Sequence, residues 1–184
     1  MKKLLTLFLM LLPLLVSAQD LAIFTLNQYG QYVSADDEDY IVVSFEGKTA
    51  HEIYQELATN VSSLYNDPSK VMTGVEDASI KIRAFSDDLI RIKILGLGQS
   101  LGGYYQLEFK IKDGRVRVSA PMVEETMWID GPTFRTFSKE VKGYFKNGEL
   151  KDKKKEDYSI VVAKMNSIVN SILGSTKSED DDNW

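Results

Sequence analysis

The sequence predicts an α+β domain, an antiparallel sheet with two helices packed on one face. Three observations predict it. Apolar and charged residues alternate through the middle of the chain, from Ile80 to Val118. That is the pattern of strands with one buried and one wet face. Apolar residues at helical spacing flank this region, over 50–65 and again over 158–173. Asp113-Gly114 joins two of the alternating runs and is a strong hairpin signal. The predicted order is strand, helix, four strands, linker, helix. Helices segregated in this way cover the apolar face of the sheet and leave the polar face wet.

The first core strand is Tyr40 to Phe45 (YIVVSF), rich in β-branched and aromatic residues. Before it, Leu21 to Leu26 has strand character and Asp36 to Asp39 reads as a solvated acidic loop. Glu46-Gly47-Lys48 is a turn. Thr49 then caps a helix, with Glu52 three residues on completing a capping box. Ala50, Ile53, Tyr54, Leu57, Val61, Leu64 and Tyr65 form its apolar stripe, and Asn66-Asp67-Pro68 ends it. The four middle strands carry Ile80 and Ile82, then Ile90 to Ile94, then Tyr105 to Ile111, then Val116 and Val118. Pro121 to Leu150 reads as a linker with a short helix over Ser138 to Phe145. Tyr158, Val161, Val162, Met165, Ile168, Val169, Ile172 and Leu173 make the second long helix, stopped by Gly174. The domain therefore spans 40–174, after a lead-in segment over 19–39. The acidic tail over 175–184 is expected to be disordered.

The start of the chain has the layout of a secretory signal: Lys2 and Lys3, an uncharged apolar run from Leu4 to Val16, then Ser17-Ala18-Gln19. The run has 13 residues, where a membrane-spanning helix needs about 20. Cleavage is expected between Ala18 and Gln19, so that residues 1–18 are a signal peptide. The product would be a periplasmic or secreted chain with no membrane span. Without Lys2 and Lys3 the 22 basic residues fall to 20 against 27 acidic, a formal charge of −7. Nucleic-acid binding shows as a basic domain, so that partner is disfavoured. The chain has no cysteine. Disulfides, thiolate metal sites and cysteine nucleophiles are excluded, and packing alone must hold the domain.

Two segments carry a resemblance to a known family. YIVVSFEGKTAHEIYQELATNVSSLYNDPSKVM, residues 40–72, and the hairpin FKIKDGRVRVSAP, residues 109–121, resemble the exported bacterial domain-of-unknown-function 4468 family. The resemblance covers roughly residues 38–125. It implies a TATA-binding-protein-like fold and export. The family has no established activity, so the resemblance implies no catalytic residues.

No catalytic or metal constellation stands out, and no cofactor is expected. His51-Glu52-Ile53-Tyr54-Gln55 approaches the zinc-protease helix H-E-x-x-H, but Gln55 stands where the second histidine belongs. His51 is the sole histidine of the chain. A zinc site would need ligands from elsewhere, and Glu52 is better explained by the cap. A Ser–His–Asp arrangement would also have to use His51, and no G-x-S-x-G elbow is present. Gly96 to Gly103 brushes against a dinucleotide fingerprint but leads into a strand, where a phosphate site needs a helix. It reads as a flexible loop. The acidic runs at 36–39 and 180–182 lack the ligand spacing of a calcium loop.

The remaining feature is the wet face of the sheet. Lys81, Arg83, Arg91, Lys93, Lys110, Arg115 and Arg117 should project together, with Glu108 among them. A basic face on an acidic chain suits an anionic ligand or an acidic envelope protein. The expected function is therefore a non-enzymatic, exported binding protein. The alternative is a hydrolase of envelope polymers, with two of Glu124, Glu125 and Asp130 in one cleft beside Trp128.

Overall fold

The structure is a computed structural model and describes residues 21–94, 97–128 and 136–175. Within its strands, the side chains of 91–94, 97, 99 and 125–128 lie outside that description. The expected signal peptide with its Ala18/Gln19 cleavage site, the tail beyond 175 and Asp130 also fall outside it.

The chain begins with β1 (Thr25–Leu26) and β2 (Tyr32–Val33), a small antiparallel pair. The main sheet follows. Its strands are β3 (Tyr40–Ser44), β4 (Met72–Val75), β5 (Ser79–Ile94), β6 (Leu97–Lys112), β7 (Arg115–Ser119) and β8 (Met122–Trp128). Helices α1 (Ala50–Leu64) and α2 (Pro68–Val71) connect β3 to β4. After β8 come α3 (Phe137–Lys142), the pair β9 (Phe145–Lys146) and β10 (Glu149–Leu150), and α4 (Lys155–Leu173).

The order across the sheet is β3-β7-β6-β5-β4, all antiparallel, with β8 also paired to β6. β7 and β8 lie one after the other along the same edge of β6, at 109–112 and 102–106. Buried Pro121 separates them. It has no N–H to give a ladder, so pairing breaks there. Helices α1 and α4 lie side by side against β5 and β6. Ile53, Leu57 and Val61 of α1 and Val161, Met165 and Val169 of α4 meet Ile80, Ile82, Leu107, Phe109 and Val118 of the sheet, all essentially fully buried. The α+β class and the one-sided helix layer are those expected.

Local chemistry sets the helix ends as predicted. Thr49 N–H donates to Glu52 Oε2 at 2.8 Å, and Glu52 N–H donates to Thr49 Oγ1 at 3.3 Å. Gly174 adopts a left-handed conformation, φ 80°, and closes α4.

Four expectations are corrected. The runs at Ile80 and Ile90 belong to one strand, interrupted only by a bulge between Ser86 and Ile90. The glycine-rich segment is strand β6 over 97–103, not a loop. A side chain at Gly102 would place its Cβ 2.8 Å from both Phe85 Cζ and the Ser86 carbonyl oxygen, so the bulge needs glycine opposite it. The linker after Pro121 contributes β8 to the main sheet, and its helix stops at Lys142, ahead of the β9–β10 hairpin. In the main sheet, β4 and β8 are strands beyond those expected, and outside it so are β2, β9 and β10.

The lead-in segment is built differently from the expected strand. Ala22, Phe24 and Leu26 are buried, but side chains of α4 satisfy their backbone groups. Asn170 accepts from Ala22 N–H at 2.9 Å and donates to its carbonyl at 2.8 Å. Asn166 does the same for Phe24, at 2.9 Å both ways. The Tyr158 hydroxyl bonds both groups of Leu26 at 3.1 Å. The two amides sit four residues apart on one helix face and act as a substitute strand edge.

Candidate binding face of the sheet

Strand period places every second side chain on the face away from the helices, and the register sorts these into rows. Nearest the Asp113-Gly114 turn, Ser44, Arg115 and Lys112 lie side by side. The next row holds Val42, Arg117, Lys110 and Ser79. Then come Tyr40, Ser119, Glu108, Lys81 and Thr73. Gln106 and Arg83 form the fourth row, and Tyr104 and Phe85 the fifth.

The expected cations Lys81, Arg83, Lys110, Arg115 and Arg117 are all exposed and share this face. Lys112 joins them. It was not among the expected cations. The side chains of Arg91 and Lys93 lie outside the described residues.

Register decides how much of this charge is free. Arg83 forms a two-pronged ion pair with Glu124, Nε to Oε1 at 2.6 Å and Nη2 to Oε2 at 2.9 Å. Its guanidinium also stacks 4.2 Å from the centre of the Tyr104 ring, and that ring meets Phe85 edge-on at 5.2 Å. Glu108 takes Lys81 at 3.2 Å and Lys110 at 3.9 Å, and accepts from the Ser119 hydroxyl at 3.2 Å. Arg117 stacks 4.0 Å from the Tyr40 ring centre and, among the described residues, has only the exposed Asp39 carboxylate within ion-pair distance, at 3.7 Å. Among the described residues, Lys112 and Arg115 have no carboxylate within ion-pair distance. Among the described residues, charge on the face is therefore graded, balanced towards Tyr104 and only partly answered towards the turn.

The carboxylates respond to this setting. Hydrogen bonding from Arg83 holds Glu124 below the usual glutamate range; burial opposes this, and a hydrogen bond from Gln106 adds a lesser downward pull. At Glu108, burial pushes upward, but Lys81, Lys110 and Ser119 outweigh it and the net shift is downward. A groove of about 500 Å³ crosses the middle of the face, lined by Lys70, Thr73, Lys81, Arg83, Gln106 and Glu108 among others.

This geometry bears on the hydrolase alternative. A general acid of that chemistry needs a carboxyl with a raised pKa. Glu124 has the opposite, with both oxygens engaged by Arg83. The Glu125 and Trp128 side chains and Asp130 lie outside the described residues.

No protein-family model matches the sequence, and no curated protein matches it. Among solved structures, the chain is similar to a DUF4468 family protein from Bacteroides ovatus. The TM-score is 0.54, covering 91% of this chain and 95% of that one, at 9% sequence identity. The likeness is one of fold, and it extends well past the two segments that carry the sequence resemblance.

Proposed function

We propose that this chain is a non-catalytic binding protein that works outside the cytoplasm. It captures an anionic ligand or partner on the turn end of the exposed sheet face. One observation supports this above the others. Lys110, Lys112, Arg115 and Arg117 occupy two adjacent cross-strand rows, and little carboxylate answers them. Four close cations on an acidic chain create a local attractive field, and pairing with a polyanion gains from counterion release. Lys81 and Arg83, expected as equal members of the site, act in this reading as its ion-paired floor.

The test is binding of fluorescent dextran sulfate, a polymer whose charge does not titrate, at low and moderate salt. The expected result is saturable binding that weakens with salt and falls by roughly tenfold or more in Arg115→Glu/Arg117→Glu. Equal binding by that variant overturns the reading.

A further inference from the structure

His51 on its own is one ligand of an incomplete site, because Gln55 replaces the second histidine of the zinc-protease pattern. The fold supplies others. The turn between β4 and β5 carries Glu76 and Asp77 to the first turn of α1. One ligating atom from each of His51, Glu76 and Asp77 lies within 4.8 Å of the other two. His51 Nδ1 stands 3.0 Å from Asp77 Oδ1.

The nearby carboxylates have other work. Glu52 holds the Thr49 cap, and Asp113 accepts from Ala50 N–H at 2.7 Å. Glu76, by contrast, has no hydrogen-bond or ion-pair partner among the described residues. The positive end of the α1 dipole opposes a cation here, but two full carboxylate charges exceed that partial charge.

We propose that His51, Glu76 and Asp77 form a surface site for a divalent transition ion of the zinc type. Three protein ligands with water in the fourth position is a recognised zinc arrangement. Bonds of about 2.0–2.2 Å set ligand atoms roughly 3.3 Å apart around a tetrahedron, so side-chain rotation is enough to close a 4.8 Å cluster. The imidazole selects zinc, nickel or copper over magnesium and calcium, which favour all-oxygen sites. The bound ion ties the start of α1 to the β4–β5 turn, and binding to the folded state alone raises stability.

The experiment is zinc titration by calorimetry on the purified, chelator-treated protein, followed by thermal melts with and without zinc. The proposal expects one saturable micromolar site and a raised melting temperature, with no heat from magnesium at equal concentration. His51→Ala abolishes both effects, and Glu76→Gln weakens binding by roughly tenfold. Circular dichroism of His51→Ala stays native because the side chain is exposed. Zinc binding of unchanged affinity in His51→Ala assigns the ion to the acidic runs and overturns the site. Absence of saturable micromolar binding in the unaltered protein overturns it equally.

Discussion

The two ends of the exposed sheet face hold the same kinds of residue and differ in what lies across the strand. Towards Tyr104, both described cations meet a carboxylate: Arg83 reaches Glu124 of β8 across β6, and Lys81 meets Glu108 on the adjacent β6. Towards the Asp113-Gly114 turn, the cross-strand neighbours are cations themselves, Lys110 beside Arg117 and Lys112 beside Arg115. Like charges placed directly opposite destabilise a sheet. The turn end therefore gives up some stability that the other end keeps. A face built only for solubility has no reason to cluster its charge in this way, whereas a face that meets an anion does.

Several variants separate the two ends. Replacing Lys110, Lys112, Arg115 and Arg117 together by glutamine should reduce dextran sulfate affinity most, by roughly thirtyfold or more, since each close charge contributes a share of the attraction. Titration by fluorescence anisotropy reads this directly. Next in size is a change at the Tyr104 end that touches fold and not charge. Gly102→Val forces a side chain against Phe85, the Ser86 carbonyl and the Asp87 Cα. It should cost about 1–3 kcal/mol in denaturant unfolding and leave polymer affinity unchanged.

Glu108→Gln has a smaller effect of opposite sign. It frees Lys81 and Lys110 and should tighten binding by roughly two- to fivefold, the scale of one exposed ion pair. The same logic gives a pH dependence. Glu108 and Glu124 titrate below the ordinary glutamate value of 4.5 in the folded protein. Folded pKa values below the unfolded ones mean that the ion pairs contribute fully above pH 4.5 and are lost as pH falls through the folded values. Affinity should hold steady from neutral pH down to about 5 and rise below 4.5 as the carboxylates release their cations. The rise should be smaller in Glu108→Gln. Smallest of all is Arg83→Gln/Glu124→Gln, which removes a whole ion pair without changing the net charge and should stay within about twofold of the unaltered affinity.

Much of the fold was legible because its signals are local. The alternation of Ile80, Ile82, Leu107 and Phe109 marks one apolar face, and Thr49 with Glu52 marks a helix start. The parts missed depend on partners distant in sequence. Met72–Val75 has no alternation and becomes a strand only because β5 lies beside it. Asn166 and Asn170 look like defects in an apolar stripe until the backbone of Ala22 and Phe24 lies against them. Asn147-Gly148 was a missed local signal, a hairpin dipeptide with both residues at positive φ. The cations were legible as residues on one face, but their pairing was not. Pairing follows from register, and a sequence gives strand faces more readily than it gives strand neighbours.

Amide chemical-shift mapping with a short sulfated oligosaccharide tests the graded face most directly. The account predicts shifts concentrated at Lys110, Lys112, Arg115, Arg117 and the adjoining Val42 and Ser44, with Lys81, Arg83 and Gln106 little changed. Shifts centred on Lys81, Arg83 and Glu124, or scattered over the helical side of the molecule, would contradict it.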